Sequence, residues 1–404
     1  MKVLYVCHRF PFPPKRGGKI RPFNMIRHLH QQGHEVVVAS LVRSEEEAQA
    51  GVGLREHCSR FLMERVHDET ATVRMVLRLP TKGPSSMGYF YSAALERRVH
   101  AELARTSFDL IFVHCSSVAP YVAHAQGPAK ILDFGDMDSQ KWLSYGPMKP
   151  FPLSLGYYLE GLKMQLAEAE LAKQFDCCTA TTKAELATLN GLGTAHRTDW
   201  FPNGVDTKAF APAQQPYEPD TICFIGRMDY YPNQECMLEF CKDTWPLILG
   251  RRPKAQLLII GAEPSPEIRA LGALPGVTVT GSVPEVQPYV HRAAVNVAPL
   301  NIARGTQNKI LESMAMGVPV VASQLAAAGV DAIPGEHLLV GSRPEEYADQ
   351  VLRLLEHPEE RRRYSEAGRA RVLSHHDWKA SMKRLDGIIE TTLKEKRERQ
   401  RSIG

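Results

Sequence analysis

The sequence predicts an α/β protein made of two doubly wound parallel sheets in tandem, and three observations carry that prediction. Short apolar runs alternate with helix-length amphipathic segments through both halves of the chain. Polar, glycine-containing loops fall where the apolar runs end. A proline-rich stretch, Thr207 to Asp220 with Pro212, Pro216 and Pro219, lies between the halves. Sheets of this kind hold ligands beyond the C-terminal ends of their strands, so the loops there are where chemistry is sought.

Bulk properties bound the answer. The 404 residues suit two or three domains, and 44% apolar with 23% charged is ordinary for a globular chain. A net charge of +4 gives no argument for nucleic acid. No run of apolar residues is long enough to span a membrane. The opening MKVLYVCHRFPFPP reads as a strand followed by prolines, not a signal peptide, so a cytoplasmic protein is expected. Eight cysteines without CxxC spacing or a His/Cys pattern predict reduced core thiols and no metal.

In chain order, Lys2 to Cys7 is the first expected strand. A loop reaches Gly17-Gly18 and a helix follows, with Ile20, Phe23, Ile26 and Leu29 on one face and Gly33 as its stop. Further strands are expected at 36–41, 61–63, 109–114, 130–134 and 176–180, with helical signals across 68–99, 142–175 and 181–189. Pro202-Asn203-Gly204-Val205-Asp206 is a turn. The second half repeats the alternation, with strands at 221–225, 256–260, 277–280, 295–299, 318–322 and 337–340. Its helices are expected at 234–249, 284–293, 306–316 and 345–355. Trp378, Met382, Leu385, Ile389 and Leu393 mark a last amphipathic helix, and the charged tail after it is expected to fray. The domains are read as 1–203, 204–376 and a terminal 377–404.

The most chemically loaded stretch is NIARGTQNKILESMAMGVPVV, Asn301 to Val321. A strand, a loop with Arg304 and Gly305, and a helix N-terminus form the usual grammar of an anion site. Lys309 and Glu312, three apart on that helix, share a face. Lys309 suits a phosphate, and Glu312 could accept two ribose hydroxyls. Arg227, after the strand ending at Ile225, could clamp a phosphate or pair with Asp229. Asn233 reads as the cap of the next helix. Gly261 and Gly281-Ser282-Val283 end two more strands and could meet a nucleobase or only turn the chain. In the first half, Gly17 and Gly18 allow close approach to a diphosphate, with Lys15, Arg16, Lys19 and Arg21 adding charge. Asp133, Asp136 and Asp138 cluster after one strand. A carboxylate there could polarise a hydroxyl or stabilise a cationic sugar, or Asp138 or Ser139 could cap the following helix. His114 ends a strand as a base, a sugar contact or a core histidine.

The runs FIGRMDYYPNQE, LLIIGAEP, VTVTGSVPEVQPYV and VNVAPLNIARGTQNKILESMAMGVPVVAS, with GGKIR and PNGVD earlier, resemble GT-B glycosyltransferases of the family 4 type. DFGDMDSQKW with the KILE helix is most similar to exopolysaccharide sugar transferases associated with PEP-CTERM/exosortase loci. The resemblance implies two Rossmann-like domains facing across a cleft, with the last helix crossing back to the first. It implies metal-independent, retaining transfer from a nucleotide sugar, with UDP or GDP as the expected donor and no separate cofactor. By the same resemblance Arg227 and Lys309 hold the leaving diphosphate, Glu312 holds the ribose, and Gly17-Gly18 cap the phosphates. The sequence departs from the family where Arg304 replaces a glutamate that touches the donor sugar. A histidine near Asp136 is also absent, and Asp136 or Asp138 would substitute for it.

The acceptor side is expected to take a saccharide or lipid-linked saccharide. Two basic-aromatic regions, one around Arg74, Arg78 and Lys82 and one around Lys141, Trp142, Lys149, Phe151 and Lys163, could place the protein peripherally on the inner face of the cytoplasmic membrane, or could simply pack helices. The competing readings are a nucleotide-sugar 2-epimerase and a catalytically silent scaffold of the same fold.

Overall fold

The strands of the computed structural model, which describes residues 1–14 and 17–403, fall in two sheets, and every pairing within them is parallel. The first sheet contains β1 (Lys2–Cys7), β2 (Glu35–Val42), β3 (Arg60–Arg65), β4 (Leu110–His114), β5 (Ala129–Gly135), β6 (Cys177–Ala180) and β7 (Thr198–Trp200), in the order β3-β2-β1-β4-β5-β6-β7. The second contains β8 (Glu218–Ile225), β9 (Gln256–Ile260), β10 (Val277–Gly281), β11 (Ala293–Ala298), β12 (Val320–Ser323) and β13 (Leu339–Gly341), in the order β10-β9-β8-β11-β12-β13. The central strands β1, β4, β5 and β11 are buried almost throughout, which is why they read as continuous apolar runs without alternation. The doubly wound α/β expectation therefore holds for both halves.

Register decides which residues become neighbours. In the first sheet Cys7 pairs with His114 and His114 with Asp133, so the chain beyond these strand ends emerges side by side. In the second, Ile225 pairs with Ile260, which sets Gly226 beside Gly261.

The chain divides into two units, Met1–Phe201 with the last helix from Met382 onward, and Pro202–Ser381. Within the second unit the Pro202–Asp206 turn is fastened to the segment before the last helix. Val205 N donates to His376 O over 2.7 Å and Thr207 Oγ1 to Asp377 Oδ2 over 2.8 Å. A Cβ on Gly204 would lie 2.5 Å from the Trp378 ring. The last helix runs Trp378–Ile403, and the part of it in the first unit, from Met382 onward, is held by Arg384 Nε to Trp200 O at 2.5 Å and by His28 to Asp386 at 2.8 Å. The charged tail is helical to Ile403, with Gly404 outside the described residues, and within it Arg399 and Lys396 reach the buried Asp176 carboxylate at 2.9 and 3.3 Å.

Several elements differ from expectation. The helix read as 234–249 is Tyr231–Glu239, a wider π-helical turn Phe240–Thr244, and Trp245–Arg251. Pro246 cannot donate back into the preceding turn, and its ring crowds the carbonyl four residues earlier. The helix read as 284–293 shrinks to Gln287–Val290, because Ala293 already belongs to β11. A long helix, Pro358–His375, went unread, since only Tyr364, Gly368 and Val372 of it are buried and no apolar stripe shows.

All eight cysteines are buried, unpaired thiols, and burial pushes Cys7, Cys58, Cys177, Cys236 and Cys241 up to about 12. Among the described residues no helix is long and apolar enough to cross a membrane.

Candidate functional site

In the second unit, the loops after β8 and β9 cross backbone to backbone. Gly226 N donates to Ile260 O over 3.0 Å and Met228 N to Ala262 O over 2.8 Å. A Cβ on Gly261 would overlap Gly226 O, so only glycine permits the crossing. Arg227 follows at once. Its Nε and Nη2 donate to Asp229 at 3.0 and 2.7 Å, and Nη2 donates to Glu263 at 2.5 Å. Glu263 holds a φ of +57, a strained setting for a side-chain-bearing residue. The Arg227 side chain is 44% exposed. Pairs this open are worth about 1 kcal/mol or less, so a phosphate can exchange for either carboxylate.

Asn233, nearly buried, joins this loop to the next. Its Nδ2 donates to Arg227 O over 2.8 Å, and its Oδ1 accepts from Lys309 Nζ at 2.5 Å. The Lys309 ammonium also lies 4.4 Å from the Phe224 ring centroid. Burial pulls Lys309 down to about 8. Glu312, one turn on, is pushed by burial up to about 7, with Lys309 opposing the shift. Each group is thus desolvated by more than the other compensates. Their helix, Asn308–Ala315, has Gln307 at its N-cap and no side-chain cap. Thr306 Oγ1 and Asn308 Oδ1 are buried without a hydrogen-bond partner. The turn before it uses Gly305 at φ +61. A cation, a carboxylate, an uncapped helix start and two unused polar atoms together suit an anion that also carries hydroxyls.

In the first unit the aligned strand ends build a second cluster. Asp133, fully buried, accepts from Arg21 Nε and Nη2 at 2.9 and 3.0 Å, from Thr179 Oγ1 at 2.9 Å and from His114 Nδ1 at 2.8 Å. Burial opposes its ionisation, but Arg21 and these hydrogen bonds outweigh burial and hold the carboxyl well below the usual range. A carboxylate only accepts, so His114 Nδ1 carries a proton and donates it to Asp133. The His8 ring lies 5.7 Å from that of His114, with Nδ1 buried and unpartnered, and burial lowers its pKa well below the ordinary value. Asp138 accepts from Ser116 Oγ at 3.3 Å and from Cys115 Sγ at 3.7 Å, and burial raises its pKa. Cys115 holds a φ of +84, a second strained backbone beside these polar groups. Asp136 is exposed and accepts from Thr181 Oγ1 at 2.8 Å.

This fold is shared with solved structures. Sucrose-phosphate synthase from Thermosynechococcus elongatus superposes with a TM-score of 0.71 at 17% identity, covering 97% of this chain and 99% of that one. HepE of Anabaena, crystallised with UDP and glucose, gives 0.69 at 13% identity over 97% and 100%. Residues 16–209 match the family model described as Glycosyltransferase Family 4, and residues 219–357 match Glycosyl transferases group 1. The chain is a GT-B glycosyltransferase. Among curated proteins this glycosyltransferase is 23% identical over 356 residues to a Corynebacterium glutamicum enzyme. That protein is named GDP-mannose-dependent monoacylated alpha-(1-6)-phosphatidylinositol monomannoside mannosyltransferase, and the match covers 78% of this chain and 92% of the relative.

Several residues of this glycosyltransferase stand otherwise than the sequence suggested. Asn233 caps nothing: its helix starts at Tyr231, and its side chain bridges Arg227 and Lys309 instead. Neither Asp138 nor Ser139 caps the Asp138–Tyr145 helix, whose N-cap is Met137. Glu185 Oε2 and Glu168 Oε1 reach in to accept from Met137 N and Ser139 N, each at 3.0 Å, and burial pushes Glu168 up to about 7. Arg21 is committed to Asp133, and Lys19 is paired with Glu47, so neither is loose charge for a phosphate. Lys15 and Arg16 lie outside the described residues. Gly17 and Gly18 open the Gly17–Gln31 helix, and a Cβ on Gly18 would meet only Arg9 at 3.7 Å. Gly261 turns out to be required by the loop crossing itself. Val283 packs against the small apolar cluster that includes Cys223 and Ile225, and Arg304 is exposed, with Gln307 Nε2 donating to its carbonyl at 3.0 Å. Sequence reasoning missed Glu263, Thr306, Asn308, His8 and Glu168. For Glu168 no local signal existed, since a glutamate within a helix is ordinarily a surface residue.

Proposed function

We propose that this glycosyltransferase takes a sugar from a nucleoside-diphosphate donor, UDP- or GDP-linked. It passes the sugar, with retention at the anomeric carbon, to a saccharide or lipid-linked saccharide. The setting is cytoplasmic assembly of cell-surface or exopolysaccharide, of the kind associated with PEP-CTERM/exosortase loci. The observation that carries the donor side is the Arg227–Asn233–Lys309 chain with Glu312 on the same helix face. In this reading Lys309, the uncapped helix start and Arg227 meet the charge that grows on the departing diphosphate, without a metal. Binding the diphosphate returns to Lys309 the full protonation that burial weakens. Glu312 accepts the ribose hydroxyls, Gly261 and Val283 border the base, and Arg304 and Gly305 border the sugar. Gly17 and Gly18 offer backbone N–H groups to phosphate. Asp138, with its raised pKa, or Asp136 accepts the acceptor's hydroxyl proton or steadies the cationic sugar. The relative named for GDP-mannose and a phosphatidylinositol mannoside supports a nucleotide-sugar donor and a lipid-linked acceptor, and the UDP-bound neighbour supports the donor class.

The test is nucleotide release from UDP- and GDP-sugars with lipid extract in EDTA, alongside nucleotide binding by Lys309→Ala and Glu312→Ala. Both variants should lose binding. If both bind as the parent does, the site is misplaced; if no donor is turned over or bound, the reaction is wrong.

A further inference from the structure

In the first unit, the helix Leu153–Ala172 is inverted relative to an ordinary surface helix. Two of its three carboxylates point inward: Glu160 accepts from Ser85 N and Ser86 N at 3.1 and 2.8 Å, and Glu168 from Ser139 N at 3.0 Å, while Glu170 near its C-terminal end is exposed and pairs with Lys173. Its outward stripe is Leu155, Leu159, Leu162 and Leu166, spaced four, three and four apart, with Leu166 69% exposed. Lys163 Nζ donates to Leu79 O over 2.7 Å and so ties this helix to the end of Asp68–Arg78. That second helix repeats the pattern, exposing Val73, Val76 and Leu77. Phe151, just before the first helix, is 81% exposed.

The exposed carboxylates of these two helices, Asp68, Glu69 and Glu170, lie at helix ends, and the stretches beside the aliphatic stripes carry cations alone. From Thr70 to Leu95 the chain carries Arg74, Arg78 and Lys82 and no carboxylate, and from Ser139 to Leu159 it carries Lys141 and Lys149 and no carboxylate. We propose that the outer face of these two helices docks on an anionic lipid bilayer. Aliphatic side chains enter the acyl boundary while the cations meet lipid phosphates. A second copy is a poorer occupant, because a self-complementary contact would set the same cations against each other. The inference rests on the lipid-linked acceptor reading for its purpose, since docking there keeps the enzyme where such an acceptor resides.

The test is flotation of the full-length protein with vesicles of phosphatidylcholine alone and of phosphatidylcholine mixed with phosphatidylglycerol. The protein should float with the anionic vesicles, do so less in high salt, and stay behind with the neutral ones. Leu159→Glu with Leu162→Glu should lower vesicle affinity about a hundredfold, while melting temperature and nucleotide binding stay at parental values. Equal binding to both vesicles, binding to neither, or unchanged binding by the variant would overturn the proposal. So would a parental dimer that the double variant dissolves. Nucleotide binding, measured separately, tells failure of this inference from failure of the donor site.

Discussion

Replacing Glu312 with glutamine should stabilise the nucleotide-free protein above neutral pH while weakening its hold on nucleotide. The carboxyl's move from an ordinary 4.5 to about 7 is caused first by burial, and it caps the cost of the charged form at ~3 kcal/mol. Glu312 keeps some solvent, and its charge also helps Lys309 stay protonated, so the net gain on removal is on the order of 1 kcal/mol. The sign follows from linkage. Below about pH 4.5 the carboxyl is protonated in both folded and unfolded chains and nothing is lost. Between there and about pH 7 the unfolded chain ionises while the folded one resists, so the cost grows, and it stays constant above. The melting temperatures of variant and parent should therefore coincide near about pH 4.5 and separate by roughly 2–4 °C at about pH 8. Scanning calorimetry without nucleotide measures the gap, and titration with UDP and GDP measures the lost affinity. A variant less stable than its parent at high pH, or a gap that ignores pH, would refute the claim that this carboxylate is held against its own solvation.

Asn233→Ala should lower nucleotide affinity about tenfold by releasing Lys309 and the Arg227 loop together, a loss on the scale of one hydrogen bond to a charged group; unchanged affinity by calorimetry would count against the bridge. Gly261→Ala forces a side chain into Gly226 O and should cost several kcal/mol or prevent soluble folding, read by urea denaturation. Asp133→Asn leaves Arg21 buried beside a neutral group and should cost about 3–5 kcal/mol. Because Asp133's folded pKa lies below its unfolded value, its contribution is present in full above the unfolded pKa and is lost as pH falls toward the folded one. The parent–variant gap should therefore be flat above about pH 5 and shrink below about pH 4.

Both sheets were legible in the sequence because strands buried on two faces leave uninterrupted apolar runs, and because each glycine loop marks a strand end. Lys309 and Glu312 were legible for the simpler reason that helical spacing alone puts them on one face. What escaped was whatever depends on register or on the partner of a side chain. Asn233 sits three residues into a helix, and nothing local says that its amide spans from Arg227 O to Lys309. Arg21 and Asp133 are 112 positions apart, so their pairing existed only once β1, β4 and β5 were laid side by side. The pairing within the charged tail was hidden because Asp176, which pairs with Arg399, lies 223 positions earlier. The polar Pro358–His375 helix hid because it has almost no buried face to give it a period.

The inward burial of all eight thiols has a practical consequence. Maleimides and disulfide-forming spin labels need an accessible thiolate, and here the native sulfurs offer neither access nor ionisation. A cysteine introduced at the surface would be modified selectively in the native background. Glu69→Cys in the first unit and Glu345→Cys in the second would carry a donor and acceptor dye, and the spacing of the two units could be followed directly as nucleotide is added.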